Sequence, residues 1–125
     1  MNWQEKCKRA ERAVEGVRKK LPPQVREVAG EVPVSYWPRP TKAMRREGIE
    51  DDLLGLFVGP NRNEEWEEGG GDMLPSEILL FLDNLWEEAE GDAERFAEEV
   101  RVTYLHELGH YLGLDEDEVA ERGLE

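Results

Sequence analysis

The sequence predicts a small fold that combines two long helices with a few short strands, and three patterns predict it. Apolar residues near the N-terminus recur at alternating steps of four and three, which predicts an amphipathic helix. Three short apolar or alternating stretches in the middle predict strands, and a second apolar arc near the C-terminus predicts another helix. At 125 residues, the chain is expected to form one domain over residues 1–125.

The first helix is predicted from its apolar stripe and from the residues that end it. The stripe comprises Trp3, Cys7, Ala10, Val14, Val17 and Leu21. Pro22 and Pro23 follow directly, and proline cannot continue a helix. A short helical turn is expected next, over residues 24–29.

Three strands are predicted in the middle of the chain. Residues 31–36 alternate in polarity, and Pro33 favours an edge position because proline lacks an N–H for the ladder. Residues 53–58 form an apolar run that Gly59 and Pro60 close. Residues 77–82 are almost all apolar, which is typical of a strand covered on both faces.

The segments between these elements are expected to be connections. Residues 41–51 are charged and predict a loop, and residues 84–91 connect the third strand to the last helix. Residues 61–74 contain three consecutive glycines and no periodicity, and such long loops are either functional or mobile. We expect these residues to form a mobile lid over a cleft, and the alternative is a surface loop without a function. Trp66 is a substrate contact or a local anchor.

The last helix is expected to begin after Asp92, whose carboxylate can cap it. One arc of this helix is apolar and predicts its core face: Ala93, Phe96, Ala97, Val100, Tyr104, Leu108 and Tyr111. His106 and His110 fall on the flank of that arc. They are therefore expected at the edge of the core, facing a cleft.

Residues 105–116 contain the pattern H-E-x-x-H-x-x-G-x-x-E, which holds both histidines of the chain. Helical residues four apart lie on one face, about 5–6 Å apart, so His106 and His110 can bind one metal ion. Glu107 lies about 100° round the helix from His106 and is poorly aimed at that ion. It suits a general base that takes a proton from water.

The third metal ligand is expected after the helix, because catalytic zinc keeps three protein ligands and one open position. Gly113 can adopt a positive φ and turn the chain sharply, which brings Glu116 back toward the ion. Asp115 has the spacing of an N-cap for a short helix over residues 116–123. Asp117 remains the competitor of Glu116. One Zn²⁺ per chain is expected, and the carboxylate ligand leaves iron or manganese open.

Charge and composition restrict the partners. The formal net charge of −14 repels phosphate backbones and anionic membranes, so we expect no nucleic acid and no membrane partner. Cys7 is the single cysteine and excludes an internal disulfide, which fits a cytoplasmic protein. The N-terminus lacks the apolar region of a signal peptide, and no segment reaches 18 apolar residues. Abundant glutamate and arginine with scarce glutamine are typical of a heat-adapted source.

The motif and three further stretches resemble the small bacterial zincin-like metallopeptidases, which have a minimal zincin fold. The similar stretches are L-G-L-F at 54–57, L-P-S-E-I at 74–78 and E-E-V-R-V-T at 98–103. The resemblance implies an α+β domain in which a small, about three-stranded sheet packs with an N-terminal helix and the H-E-x-x-H helix. It also implies that the strand at 77–82 is an edge strand that borders the cleft and pairs with an extended peptide.

The extended motif also looks like that of the metzincins, with two departures. Metzincins place histidine or aspartate where this chain has Glu116. They also have a methionine turn after the motif, whereas Met1, Met44 and Met73 all precede it here. The chain is therefore expected to be a reduced relative of that group.

The resemblance implies a zinc-dependent peptidase-like hydrolase that acts on a peptide or protein substrate. Zinc polarises the scissile carbonyl, and Glu107 is the general base. Zinc also stabilises the oxyanion, helped by Tyr111 or by a loop residue, and Tyr111 is alternatively a core residue. One alternative is a metal-binding or interaction domain without turnover, against which the intact Glu107 argues. A metal-dependent ribonuclease with an H-G-x-x-H-x-x-G-x-x-H pattern is a further alternative. Glu107, Glu116 and the negative charge depart from it.

Overall fold

The computed structural model describes residues 1–62 and 75–113, which form an α+β fold with five helices and a three-stranded sheet. The helices are α1 (Trp3–Lys20), α2 (Pro23–Ala29), α3 (Lys42–Arg46), α4 (Leu82–Glu88) and α5 (Ala93–Tyr111). The strands are β1 (Val34–Trp37), β2 (Gly55–Val58) and β3 (Glu77–Phe81). The predicted α+β class and the small three-stranded sheet are confirmed.

Helix α1 begins and ends where the sequence predicts. Asn2 caps it, since its side-chain oxygen accepts a 2.9 Å hydrogen bond from the Glu5 backbone N–H. The middle of the stripe is buried, at Ala10, Val14 and Val17, and so is the neighbouring Ala13. Trp3 is 39% exposed, so the stripe meets the core only from the second turn onward.

The order of strands in the sheet is β1-β3-β2, with β3 parallel to β1 and antiparallel to β2. The edge position predicted for β1 from Pro33 is confirmed. The edge position implied for the strand at 77–82 is wrong, because β3 has a partner on each side. The apolar run Ile78–Phe81 explains this placement, since all four of its side chains are buried. Strand β3 therefore cannot pair with a substrate. The two edge strands of the sheet are β1 and β2.

Two predicted connections contain helices. Thr41 caps α3 by accepting a 3.2 Å hydrogen bond from the Met44 backbone N–H, within the segment expected to be a loop. Helix α4 fills most of the connection predicted at 84–91. The sequence contains a helical signal here, because Leu82, Leu85 and Ala89 are spaced by three and four residues. All three are fully buried in the structure.

Helix α5 begins as predicted, with Asp92 accepting hydrogen bonds from the backbone N–H groups of Glu94 and Arg95. The larger side chains of its predicted core arc are buried: Phe96, Val100, Tyr104, Leu108 and Tyr111. The helix packs against α1, β2 and β3. Among the residues described, no helix combines the length and the apolar character needed to cross a membrane.

Two predicted features fall outside the described residues. One of them is the lid predicted at 61–74, of which only Asn61 and Arg62 are described. Trp66 therefore lies outside the described residues. The other is the segment from residue 114 onward, with the short helix predicted at 116–123.

Candidate metal centre

Helix α5 brings the two histidines of the chain together near its C-terminal end. The Nε2 atoms of His106 and His110 lie 3.2 Å apart, and the two rings are nearly perpendicular, at 84°. Residues four apart on a helix face the same way, so this arrangement follows directly from the spacing of the motif. The two nitrogens can share a proton as a hydrogen bond or converge on one cation.

The separation of the two nitrogens fits a single zinc ion. Two ligands at about 2.0–2.1 Å from a tetrahedral zinc lie about 3.3–3.4 Å from each other. The observed 3.2 Å between the Nε2 atoms is close to that value without any rotamer change. Imidazole nitrogen is also a ligand that zinc prefers. The histidine pair therefore fits the metal that the motif implies.

Glu107 completes the cluster from the neighbouring position on the helix. One ligand-type atom from each of His106, Glu107 and His110 lies within 4.8 Å of the others. Glu107 is only 8% exposed, and burial raises the pKa of its carboxyl group above the ordinary value. Three smaller effects lower that pKa: the electrostatic interactions with His110 and His106, and a hydrogen bond from the Phe57 backbone N–H.

The Phe57 hydrogen bond shows which edge of the sheet faces the cluster. Leu54 accepts a 3.0 Å hydrogen bond from the Phe81 N–H, and Leu56 lies opposite Leu79. Ladder bonds alternate along an antiparallel pair, so the backbone groups of Gly55 and Phe57 point away from β3. Strand β2 pairs with no other strand among residues 1–62 and 75–113. Its outer edge therefore runs beside Glu107.

A glycine on β2 lets this edge approach the helix. A Cβ atom at Gly55 would lie 2.5 Å from Thr103 Cγ2 and 3.4 Å from Glu107 Cγ. Real Cβ contacts do not reach 2.5 Å, so the position requires glycine on grounds of space. Gly55, Thr103 and Phe57 are neighbours of the cluster that were not predicted, because no pattern in one chain reveals contacts between β2 and α5.

Two open pockets adjoin the cluster, one on each side of Glu107. The first has a volume of about 520 Å³ and is lined by His110 and by residues of β2 and its continuation to Asn61. The second has a volume of about 420 Å³ and is lined by His106, Thr103 and the segment that precedes β2. Gly55 borders both pockets, so a groove follows the outer edge of β2 past the cluster.

Tyr111 occupies the core. Its side chain is 1% exposed, its ring centroid lies 5.8 Å from that of Phe57, and its hydroxyl donates a 3.3 Å hydrogen bond to Glu31. Of the two roles left open for Tyr111, these contacts favour the structural one over oxyanion stabilisation.

The helix ends as the third-ligand hypothesis requires. Helix α5 ends at Tyr111, and Gly113 has φ 77°, the left-handed conformation that turns a chain away from a helix axis. Glu116 and its competitor Asp117 lie beyond the described part of the chain. The third ligand therefore remains a prediction, with the turn that it needs in place.

Comparisons with known proteins agree with this geometry. A family model described as zincin-like metallopeptidase matches residues 29–124, which include the whole sheet and the histidine cluster. A search of curated proteins finds no match to the chain.

Proposed function

Because the chain belongs to the zincin-like metallopeptidase family, we propose that it is a zinc-dependent peptidase with its metal held by His106, His110 and Glu116. The observation that carries this proposal is the 3.2 Å separation of the two Nε2 atoms with the Glu107 carboxylate beside them. Zinc, when bound, supplies a Lewis acid for the scissile carbonyl and lowers the pKa of a coordinated water to about 7.

The protein's own contribution to proton transfer comes from Glu107. Its carboxylate is buried beside the two histidines, and the Phe57 N–H fixes one of its oxygens. We propose that the other oxygen takes a proton from the attacking water and passes it to the leaving amine. A general base works best when its pKa is near the operating pH, and burial moves the pKa of Glu107 in that direction.

The substrate is proposed to bind as an extended peptide along the outer edge of β2. The backbone N–H and carbonyl of Gly55 and the carbonyl of Phe57 point toward the groove, whereas the Phe57 N–H is bound to Glu107. An added strand can pair with such an edge. Side chains on either side of the scissile bond would then enter the two pockets that flank Glu107. This proposal places at β2 the substrate contact that the family resemblance implied for the strand at 77–82.

Cleavage of a mixed peptide library by zinc-loaded protein tests the proposal. We expect cleavage by the parent chain and a loss of about 10²–10⁴-fold in kcat for Glu107→Gln, with equal zinc content in both samples. Glu94→Gln is the matched control, since Glu94 lies on the exposed first turn of the same helix. No cleavage by the parent protein, or equal rates for the parent and Glu107→Gln, would overturn the peptidase assignment.

A further inference from the structure

The pocket on the His106 side of Glu107 differs in charge from its counterpart. Its lining includes Glu50 and Asp52 at the rim and contains no lysine or arginine among the described residues. Among residues 1–62 and 75–113, the lining of the pocket on the His110 side carries no charged side chain besides Glu107 and His110. Within this part of the chain, the groove along β2 is therefore more acidic at its His106 end.

The two acidic side chains carry charge that the described part of the chain does not neutralise. Glu50 and Asp52 are exposed and take part in no ion pair there. Asp51 lies between them, outside the pocket lining, with a carboxylate oxygen 3.9 Å from Arg45 Nη1. Clefts lined by one sign of charge concentrate ligands of the opposite sign. The acidic end therefore favours a cation.

The walls below this rim are apolar. The lining includes Leu53 and Leu54 from the segment before β2 and Val102 from α5. Val102 is 43% exposed, one of the two large hydrophobic side chains that the described residues expose. An aliphatic stem with a charged end matches apolar walls with an acidic rim, because lysine and arginine bury their methylene groups and keep the charge in water.

Asn84 holds the acidic segment in a fixed position. Its side chain is buried, at 4% exposure, and donates hydrogen bonds of 2.8 and 2.9 Å to the backbone oxygens of Asp51 and Leu53. Its own oxygen accepts a 2.6 Å hydrogen bond from Arg39. The Glu50 carbonyl also accepts a 3.3 Å hydrogen bond from the Leu53 N–H. A wall formed before binding avoids the entropic cost of ordering a loop.

We propose that this pocket is a subsite for a lysine or arginine side chain of the peptide substrate, with Glu50 and Asp52 as its specificity-determining residues. The proposal rests on the proposed function, because the peptide must lie along β2 for its side chain to reach the pocket. Two solvent-exposed ion pairs correspond to a preference of about 2- to 30-fold over an uncharged side chain of similar length. The preference decreases at high salt, which screens exposed charges.

The test uses two measurements on zinc-loaded protein. Mass spectrometry of library products gives the residue preferred at each position around the cleaved bond. Fluorescence anisotropy of labelled peptides that differ only in one lysine, glutamine or glutamate gives binding to Glu107→Gln, independently of turnover. Both measurements are repeated with the double variant Glu50→Gln/Asp52→Asn and with the control double variant Glu47→Gln/Asp51→Asn. The control removes two charges from the same segment, and neither of its residues lines the pocket.

We expect lysine or arginine to be preferred at one position on one side of the cleaved bond. Glu50→Gln/Asp52→Asn should remove that preference, and the control should keep it. Absence of the preference, its retention in Glu50→Gln/Asp52→Asn or its equal loss in the control would overturn the subsite. Cleavage without the preference would leave the peptidase assignment intact. A lysine preference in binding without cleavage would contradict turnover and support the subsite, and absence of binding by every peptide would overturn both.

Discussion

Gly55 of β2 and Thr103 of α5 are in contact so close that a Cβ atom on the glycine would lie 2.5 Å from Thr103 Cγ2. Thr103 precedes Glu107 by four residues, so the two side chains lie on one face of α5. The contact therefore sets the distance between the edge of β2 and the carboxylate that we assign as general base.

Replacing Gly55 tests this contact. We expect Gly55→Ala to lower the free energy of unfolding by about 1–3 kcal/mol, the usual cost of overpacking a buried contact. Thr103→Ser removes the Cγ2 methyl, so Gly55→Ala should cost less in a Thr103→Ser background than in the parent chain. Urea denaturation of the four proteins gives the coupling energy between the positions. Simple additivity of the two substitutions would show that the helix and strand do not meet here.

Replacing Asn84 tests whether its hydrogen bonds hold the segment that lines the groove before β2. Asn84→Ala leaves the backbone oxygens of Asp51 and Leu53 without their donor, and we expect a loss of about 1–3 kcal/mol in the free energy of unfolding. Glu87→Gln is the control, because Glu87 forms an exposed ion pair with Arg39, and exposed ion pairs contribute little to stability. Equal urea midpoints for the two variants would contradict a supporting role for Asn84.

Features that depend on local pattern were predicted correctly. The stripe of α1, the cap Asp92 and the i, i+4 histidine pair act within a few residues of the chain, where spacing alone fixes the geometry. The cap Asn2 was not predicted, although its position directly before the apolar stripe is typical of an N-cap.

Features that depend on contacts between distant segments were not predicted. The sequence cannot show that β3 has partners on both sides, since strand order follows from how the whole sheet packs. The apolar run at 77–82 indicated a strand covered on both faces, and the edge position was implied by the family resemblance. Asn84 was placed in a connection because its role depends on carbonyl groups more than thirty positions earlier in the chain.

Stability at alkaline pH should depend on the half-buried Tyr36 and the buried Tyr104. Burial raises the pKa of Tyr36 from 10.0 to about 12 and raises that of Tyr104 as well. A raised pKa means that the folded state keeps a proton which the unfolded state loses. Stability is therefore unaffected by these groups below pH 10 and falls between about pH 10 and 12.

The urea midpoint as a function of pH measures this effect. Tyr36→Phe should make the decline above pH 10 shallower, because the substitution removes the group with the pKa of about 12. Trp37→Phe is a neighbouring control without an ionisable group, and its decline should match that of the parent. The same slope in Tyr36→Phe and the parent would show that Tyr36 is not protected from ionisation.

The choice between Glu116 and Asp117 as third ligand can be made by paired substitutions. Loss of a residue that only supports a metal ligand weakens metal binding by roughly 10- to 100-fold. We expect Glu116→Gln to weaken zinc binding by more than this, because it removes a ligand itself. Asp117→Asn should leave the affinity near that of the parent. Competition with a chromogenic chelator measures both values. A large effect of Asp117→Asn alone would assign the third position to Asp117.

Zinc stoichiometry after dialysis is the most direct test of the metal centre, because the whole account depends on His106 and His110 binding one ion. We expect one zinc per chain in the parent protein and in Glu107→Gln, and none retained by His106→Ala or His110→Ala. Circular dichroism of each variant verifies that it remains folded. Zinc retained by a folded variant that lacks either histidine, or no zinc in the parent protein, would contradict the assignment.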